Sequence, residues 1–249
     1  MNSAPATKAV LITGAARRVG AQIARTLHQA GADVLLHYRS AAADASLLAA
    51  ELNALRPGSA WCLQADLRDT KSLPGLVDAA LVRFGRLDAL VNNASSFFPT
   101  PIGSITEAAW DDLVGSNLKG PLFLSQAAAP QLRSCRGAIV NITDIHAEWP
   151  LKNYPLYCAA KAGLLGLTRA LALELAPEVR VNAVAPGPIA WPENEAFSAD
   201  ARAEIIDRTL LARIGEPDDI ARTVRFLLFD APFVTGQVIN VDGGRSTRL

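Results

Sequence analysis

At 249 residues, half of them hydrophobic and with 24 basic side chains balanced by 24 acidic ones, the chain can bury a full core and lacks the cationic excess of a nucleic-acid binder. The opening MNSAPATK has no apolar stretch of signal-peptide length, and no later run reaches the length of a membrane span without a charge. Cys62, Cys135 and Cys158 are odd in number and have no CxxC or metal-ligand spacing, so they read as free thiols; the expected setting is the cytoplasm, with neither nucleic acid nor a membrane as partner.

Short aliphatic runs alternate with longer stretches of helical period, the pattern of a parallel sheet covered by helices. A strand at 8–13 leads into a helix at 18–30 through TGAARRVG. Gly14 allows the tight turn and Gly20 lets helix and strand approach, and the exposed amides of the turn with Arg17, Arg18 and Val19 point at an anion such as a pyrophosphate. The second strand, 33–38, ends in His37-Tyr38-Arg39-Ser40, where a carboxylate would mark an NAD site. Arg39 and Ser40 would instead receive a 2′-phosphate, which favours NADPH.

A helix at 43–55 precedes the strand at 60–64, after which Asp66 and Leu67 lie at a ligand-facing end; Asp66 either accepts from an adenine amino group or caps its own turn. A helix at 70–83 and a strand at 87–91 follow, the latter running into Asn93-Ala94-Ser95 and on to Phe97. A long helix at 106–133 carries Asn117, the strand at 137–142 delivers Asp144, and the helix at 155–175 places Tyr157 and Lys161 four positions apart on one face. A cation within about 4–6 Å would pull the phenol down from its usual pKa of about 10 toward working pH. After the strand at 179–184, the stretch 186–199 is rich in proline, and a mobile cover over 186–212 is expected to present Pro186, Gly187, Pro188, Ile189 and Trp191. Helices at 200–211 and 217–228 and a strand at 237–240 complete a single domain, 1–249.

The ordered set of TGAxxxxG, NNA, Asn117, YxxxK, VNAVAPGPI and the final VTGQVINVDGG resembles the short-chain dehydrogenase/reductase family along essentially the whole chain. The resemblance implies an α/β, Rossmann-like, doubly wound parallel sheet of seven strands with helices on both faces. It also implies a homotetramer built through the Tyr157 helix and the last strand, and an Asn117-held water linking Lys161 to solvent. That family normally carries serine thirteen positions before the tyrosine, whereas this chain has Asp144. Together with Arg18, HYRS and the Ser95/Phe97 extension, the departure is similar to the pteridine reductase branch, which reduces pterins and often folates with NADPH.

In that resemblance Phe97 stacks on the pterin, Ser95 and Arg18 bind pterin and cofactor phosphate, and Asp144 with Tyr157 delivers protons. The alternatives are a dihydromonapterin reductase of the same branch, a carbonyl or 3-oxoacyl-thioester reductase of the same fold, and a catalytically dead nucleotide-binding scaffold. His146 has no assigned role.

Overall fold

Strands covered on both faces read as unbroken aliphatic runs because neither side meets water. The computed structural model describes residues 7–191 and 198–248, and in it the seven runs become β1 (Ala9–Ile12), β2 (Asp33–Tyr38), β3 (Ala60–Gln64), β4 (Ala89–Asn92), β5 (Ala138–Ile142), β6 (Arg180–Pro186) and β7 (Val238–Val241). Every pairing is parallel, and the order is β3-β2-β1-β4-β5-β6-β7. Successive residues enter opposite cores: Val10, Ile12, Val34, Leu36 and Val91 on one face, Leu11, Leu35 and Leu90 on the other. This is the doubly wound, Rossmann-like sheet expected from the sequence.

The first core is closed by α1 (Arg18–Gln29), α2 (Ala42–Leu55) and α8 (Pro217–Arg225), the second by α3 (Pro74–Phe84), α5 (Gly120–Cys135) and α6 (Pro155–Glu174). Proline at the first position starts α3, α6 and α8, where its missing N–H costs nothing. For α3 this sets the start at 74 rather than the expected 70. By length and composition α6 could cross a bilayer, but half of its apolar window is buried against the rest of the protein. It is a core helix.

Two expected helices are interrupted. The stretch 106–133 divides into α4 (Glu107–Val114), capped by the Thr106 side chain, and α5, joined by a π-helical turn at Gly115–Lys119. The stretch 217–228 likewise passes from α8 into a π turn at Phe226–Asp230. The expected helix at 200–211 is α7 (Ala199–Asp207). Of the expected cover, Pro186 still belongs to β6 and Ile189 bridges to Gly215, while positions 192–197 lie outside the described residues.

The chain leaves β3 at one edge and re-enters the sheet beside β1 as β4. The connections on either side of β1 therefore diverge, opening a crevice at the carboxyl ends of the strands.

Candidate active site

A cleft of about 400 Å³ fills that crevice. Its floor is the turn after β1. Gly14 sits at φ +61°, and a Cβ there would stand 2.9 Å from Ala94 Cα; a Cβ on Gly20 would lie 2.1 Å from the Gly14 oxygen. Neither position tolerates a side chain, so turn, helix and β4 loop are in direct backbone contact. Thr13 locks them together, its hydroxyl accepting from Asn93 N (2.9 Å) and Ala94 N (3.0 Å), while Asn93 Nδ2 donates to the Thr13 and Gly14 carbonyls. Asn93 thus lines the cleft while its amide nitrogen braces the turn.

His37 is a second brace. It is buried between Gly14 N, which donates to its Nδ1 at 3.2 Å, and the Ala65 carbonyl, 3.1 Å from its Nε2. Burial pushes its pKa down, with the Ala65 contact opposing, and the neutral Nε2–H tautomer satisfies both partners. Arg39 lines the cleft with Asp112 3.8 Å away, whereas Tyr38 and Ser40 are not part of its lining. Asp66 lines the cleft and also caps its own turn: Oδ1 accepts from Arg68 N at 3.0 Å, and Arg68 clamps the carboxylate at 2.6 Å. That hydrogen-bonded guanidinium holds Asp66 down at about 2. Leu67 and Ser95 complete this side of the lining.

Arg17 pairs with Asp44 at 2.7 Å. Arg18 takes a left-handed backbone (φ +51°) and reaches over the cleft, donating from Nη2 to the Ala190 carbonyl at 2.9 Å. Val19, Pro186, Gly187 and Ile189 supply further lining.

At the chemical end, β5 and α6 bring the predicted groups together. The Tyr157 hydroxyl donates to Asp144 Oδ2 at 2.6 Å, and Asp144 Oδ1 accepts from His146 N at 2.8 Å, capping a short 3₁₀ turn at Ile145–Ala147. Lys161 is 2% exposed and donates to the Ile142 carbonyl at 2.9 Å; its ammonium lies 5.7 Å from the centre of the Tyr157 ring. Burial pulls the ammonium down to about 8 against the opposing charge of Asp144.

The phenol departs from expectation. Tyr157 is raised well above 10, first by burial and then by the charge and hydrogen bond of Asp144. Burial and a carboxylate in direct contact both disfavour the phenolate, so Tyr157 holds its proton. Asn117 is fully buried in the π turn, where its Nδ2 donates to the Ser96 and Leu113 carbonyls, both at 2.9 Å; its Oδ1 has no protein partner among the described residues.

Beside these groups opens a pocket of about 250 Å³, sharing Arg18, Asp144, Tyr157, Gly187 and Ile189 with the cleft. Phe97, Pro188 and Trp191 line it, and so does His146. Phe97 is 42% exposed, stacks on Tyr154 (centroids 4.6 Å apart, planes 11° apart) and meets Tyr157 edge-on at 4.8 Å. Tyr154 is absent from the residues predicted from sequence, although its place one turn before Tyr157 is a usable signal. Thr13, Ser96, Ser116 and Arg245 are absent too, because only tertiary contacts bring them to the site.

Residues 14–246 match the family described as enoyl-(acyl carrier protein) reductase. Pteridine reductase 1 of Leishmania tarentolae is 41% identical over 288 aligned positions, covering 99% of each chain. The 3-oxoacyl-(acyl-carrier-protein) reductase FabG of Staphylococcus aureus is 37% identical over 241, covering 96% of this chain and 98% of the relative. An oxidoreductase of Methylorubrum extorquens is 36% identical over 242, with 95% and 97% covered.

Proposed function

The chain belongs to the short-chain dehydrogenase/reductase family, and we propose that within it the protein is an NADPH-dependent pteridine reductase that takes a dihydropterin, or a dihydrofolate, to the tetrahydro form. The observation that carries this reading is the 2.6 Å bond from Tyr157 to Asp144. An ionised carboxylate only accepts hydrogen bonds. It suits a heterocycle rich in N–H groups and cannot donate to a ketone oxygen.

The residues present fit a phosphorylated dinucleotide. Side chains are excluded where the Gly14–Gly20 turn would cradle a pyrophosphate, Arg39 rather than an acid follows β2, and the buried Asn117 Oδ1, next to the lysine helix, is an acceptor with no partner among the described residues. Gly14, Val19, Gly20 and Arg18 would hold the pyrophosphate, Arg39 the 2′-phosphate, and Tyr157 and Lys161 the nicotinamide ribose. When bound, NADPH supplies a hydride to the substrate ring.

The chain's own residues do the remainder. Phe97, with one face braced by Tyr154, offers a flat apolar surface to the ring. Asp144 accepts from ring N–H groups and orients the edge. Tyr157, kept protonated by burial and by Asp144, releases its proton to a ring nitrogen as general acid. Lys161 stands behind it to restore that proton, and Asn117 would hold a water linking the lysine to solvent.

FabG-type relatives at 37% identity support a second reading, a 3-oxoacyl-thioester reductase. Steady-state assays with NADPH and either dihydrobiopterin or an acetoacetyl thioester decide between them. Turnover of the thioester alone would reject the pterin assignment. We also propose a homotetramer in the cytoplasm: Trp110, Phe123, Leu173 and Phe233 leave apolar area exposed for burial between copies, and the thiols are unpaired. Light scattering on a sizing column should report four chains.

A further inference from the structure

The wall of the substrate pocket that comes from the end of the chain holds a cation that the chemistry above does not use. After β7 the backbone turns through Gly243 (φ +63°) and Gly244 (φ +80°). Asp242 fixes the turn, its Oδ1 accepting from Gly244 N at 2.9 Å and its Oδ2 from Ser246 N at 2.7 Å. This turn abuts the root of the cover segment, since a Cβ on Gly187 would stand 2.6 Å from Asp242 Cα. Arg245 is thereby carried into the pocket lining, where one guanidinium nitrogen donates to the Ile205 carbonyl at 3.0 Å.

A guanidinium offers five N–H donors in a rigid fork suited to carboxylate and phosphate. Among the described residues Arg245 enters no ion pair; the nearby Glu204 is taken by Arg208 at 2.7 Å, and Asp242 is occupied by the backbone amides of its own turn. Burial, and then the charge of Arg208, pull the Arg245 pKa down against the opposing charges of Glu204 and Asp242. Arg18 adds a second cation to the lining, and Asp144, the one acidic lining residue among the described residues, is engaged with Tyr157 and His146 N. Apart from His146, the other described side chains of the lining, among them Phe97, Leu151, Ile189, Trp191, Ile205 and Ile214, are apolar or aromatic.

We propose that Arg245 binds an anionic group, carboxylate or phosphate, on the side chain of the substrate, and so sets a preference for charged-tail pterins over neutral polyol-tail ones. The inference rests on the pterin reading above and names the substrate class within it. Arg245 touches the tail, not the reacting ring; its removal should therefore act on KM and leave kcat alone.

The test compares wild type, Arg245→Leu and Arg245→Lys with three dihydro substrates: neutral dihydrobiopterin, dihydrofolate with its glutamate carboxylates, and dihydroneopterin 3′-phosphate. Losing a charge-assisted hydrogen bond should raise KM for the anionic substrates about 10–100-fold. The dihydrobiopterin KM and every kcat should stay within about twofold, and Arg245→Lys should recover part of the loss. The two charged substrates report separately on carboxylate and phosphate.

Equal KM increases for neutral and charged substrates, or none for either charged one, would overturn the inference while leaving the pterin reading intact. A wild-type enzyme that reduces no pterin would overturn both. Should Arg245→Leu not fold, ionic strength tests the same contact on wild type: salt must raise KM for at least one anionic substrate and spare dihydrobiopterin.

Discussion

Replacing Asp144 by asparagine preserves the side chain's shape and removes its charge. Oδ1 can still accept from His146 N, but the amide NH₂ now faces the Tyr157 hydroxyl, which loses its 2.6 Å acceptor. A hydrogen bond to a charged group is worth about 1.5–3 kcal/mol, and a pterin N–H directed at this carboxylate would lose the same, which predicts a fall in kcat/KM of roughly 10–100-fold. Two pKa values move with it. Tyr157 drops, because the charge and the hydrogen bond of Asp144 both hold it up. Lys161 falls below its value of about 8, because Asp144 is what opposes the effect of burial. The kcat/KM profile, measured from pH 6 to 10 with NADPH and dihydrobiopterin, should therefore show an alkaline limb near pH 8 in wild type as the ammonium is lost. In Asp144→Asn that limb should move to lower pH. A loss under about threefold at pH 7, with the limb unmoved or shifted upward, would refute the coupling of Asp144 to both groups.

Tyr157→Phe removes the acid and leaves the cleft's shape unchanged, so turnover should fall by about 10²–10⁴ while NADPH affinity by fluorescence titration stays nearly constant. Arg39→Ala should weaken NADPH selectively over NADH, read as the ratio of the two KM values; an unchanged ratio removes Arg39 from the 2′-phosphate site. Stability should rise with pH between about 8 and 10.5, because in that window the unfolded chain binds a proton at Lys161 that the folded one does not. The gain is on the order of 3 kcal/mol, and above pH 10 the raised Tyr157 works against it, since the unfolded phenol ionises first. Urea unfolding at pH 7.5 and 9.5 should show the rise in wild type and not in Lys161→Met.

The sheet was legible because burial on both faces writes its central strands as aliphatic runs, and the turn after β1 because only glycine satisfies the contacts at Gly14 and Gly20. The π turn around Asn117 was not, since its signal lies in a partner far along the chain: the Ser96 carbonyl that accepts from Asn117 Nδ2 comes from the β4 loop. The same holds for the bracing role of His37, which lines the cleft and on which Gly14 N and the Ala65 carbonyl also close. Spacing on a helix brings Tyr157 and Lys161 to one face, but the sign of the phenol's shift depends on burial and on which way Asp144 turns. Tertiary structure alone fixes both.

That sign bears directly on substrate choice. A tyrosine flanked by a cation and a serine can share its proton or give it up readily, and the serine can donate to a carbonyl. With Asp144 in the serine's place, the hydroxyl of Tyr157 is already committed to a carboxylate, and neither group offers a free donor to a ketone oxygen until that bond is broken. A reduced heterocycle changes the terms. Its N–H groups can approach Asp144 as donors, taking over the acceptor that Tyr157 was using. Its imine nitrogen is a base to which the displaced hydroxyl can turn. Substrate binding would then itself release the proton that Tyr157 otherwise holds tightly, and a carbonyl substrate without N–H donors would leave the acid locked to its neighbour.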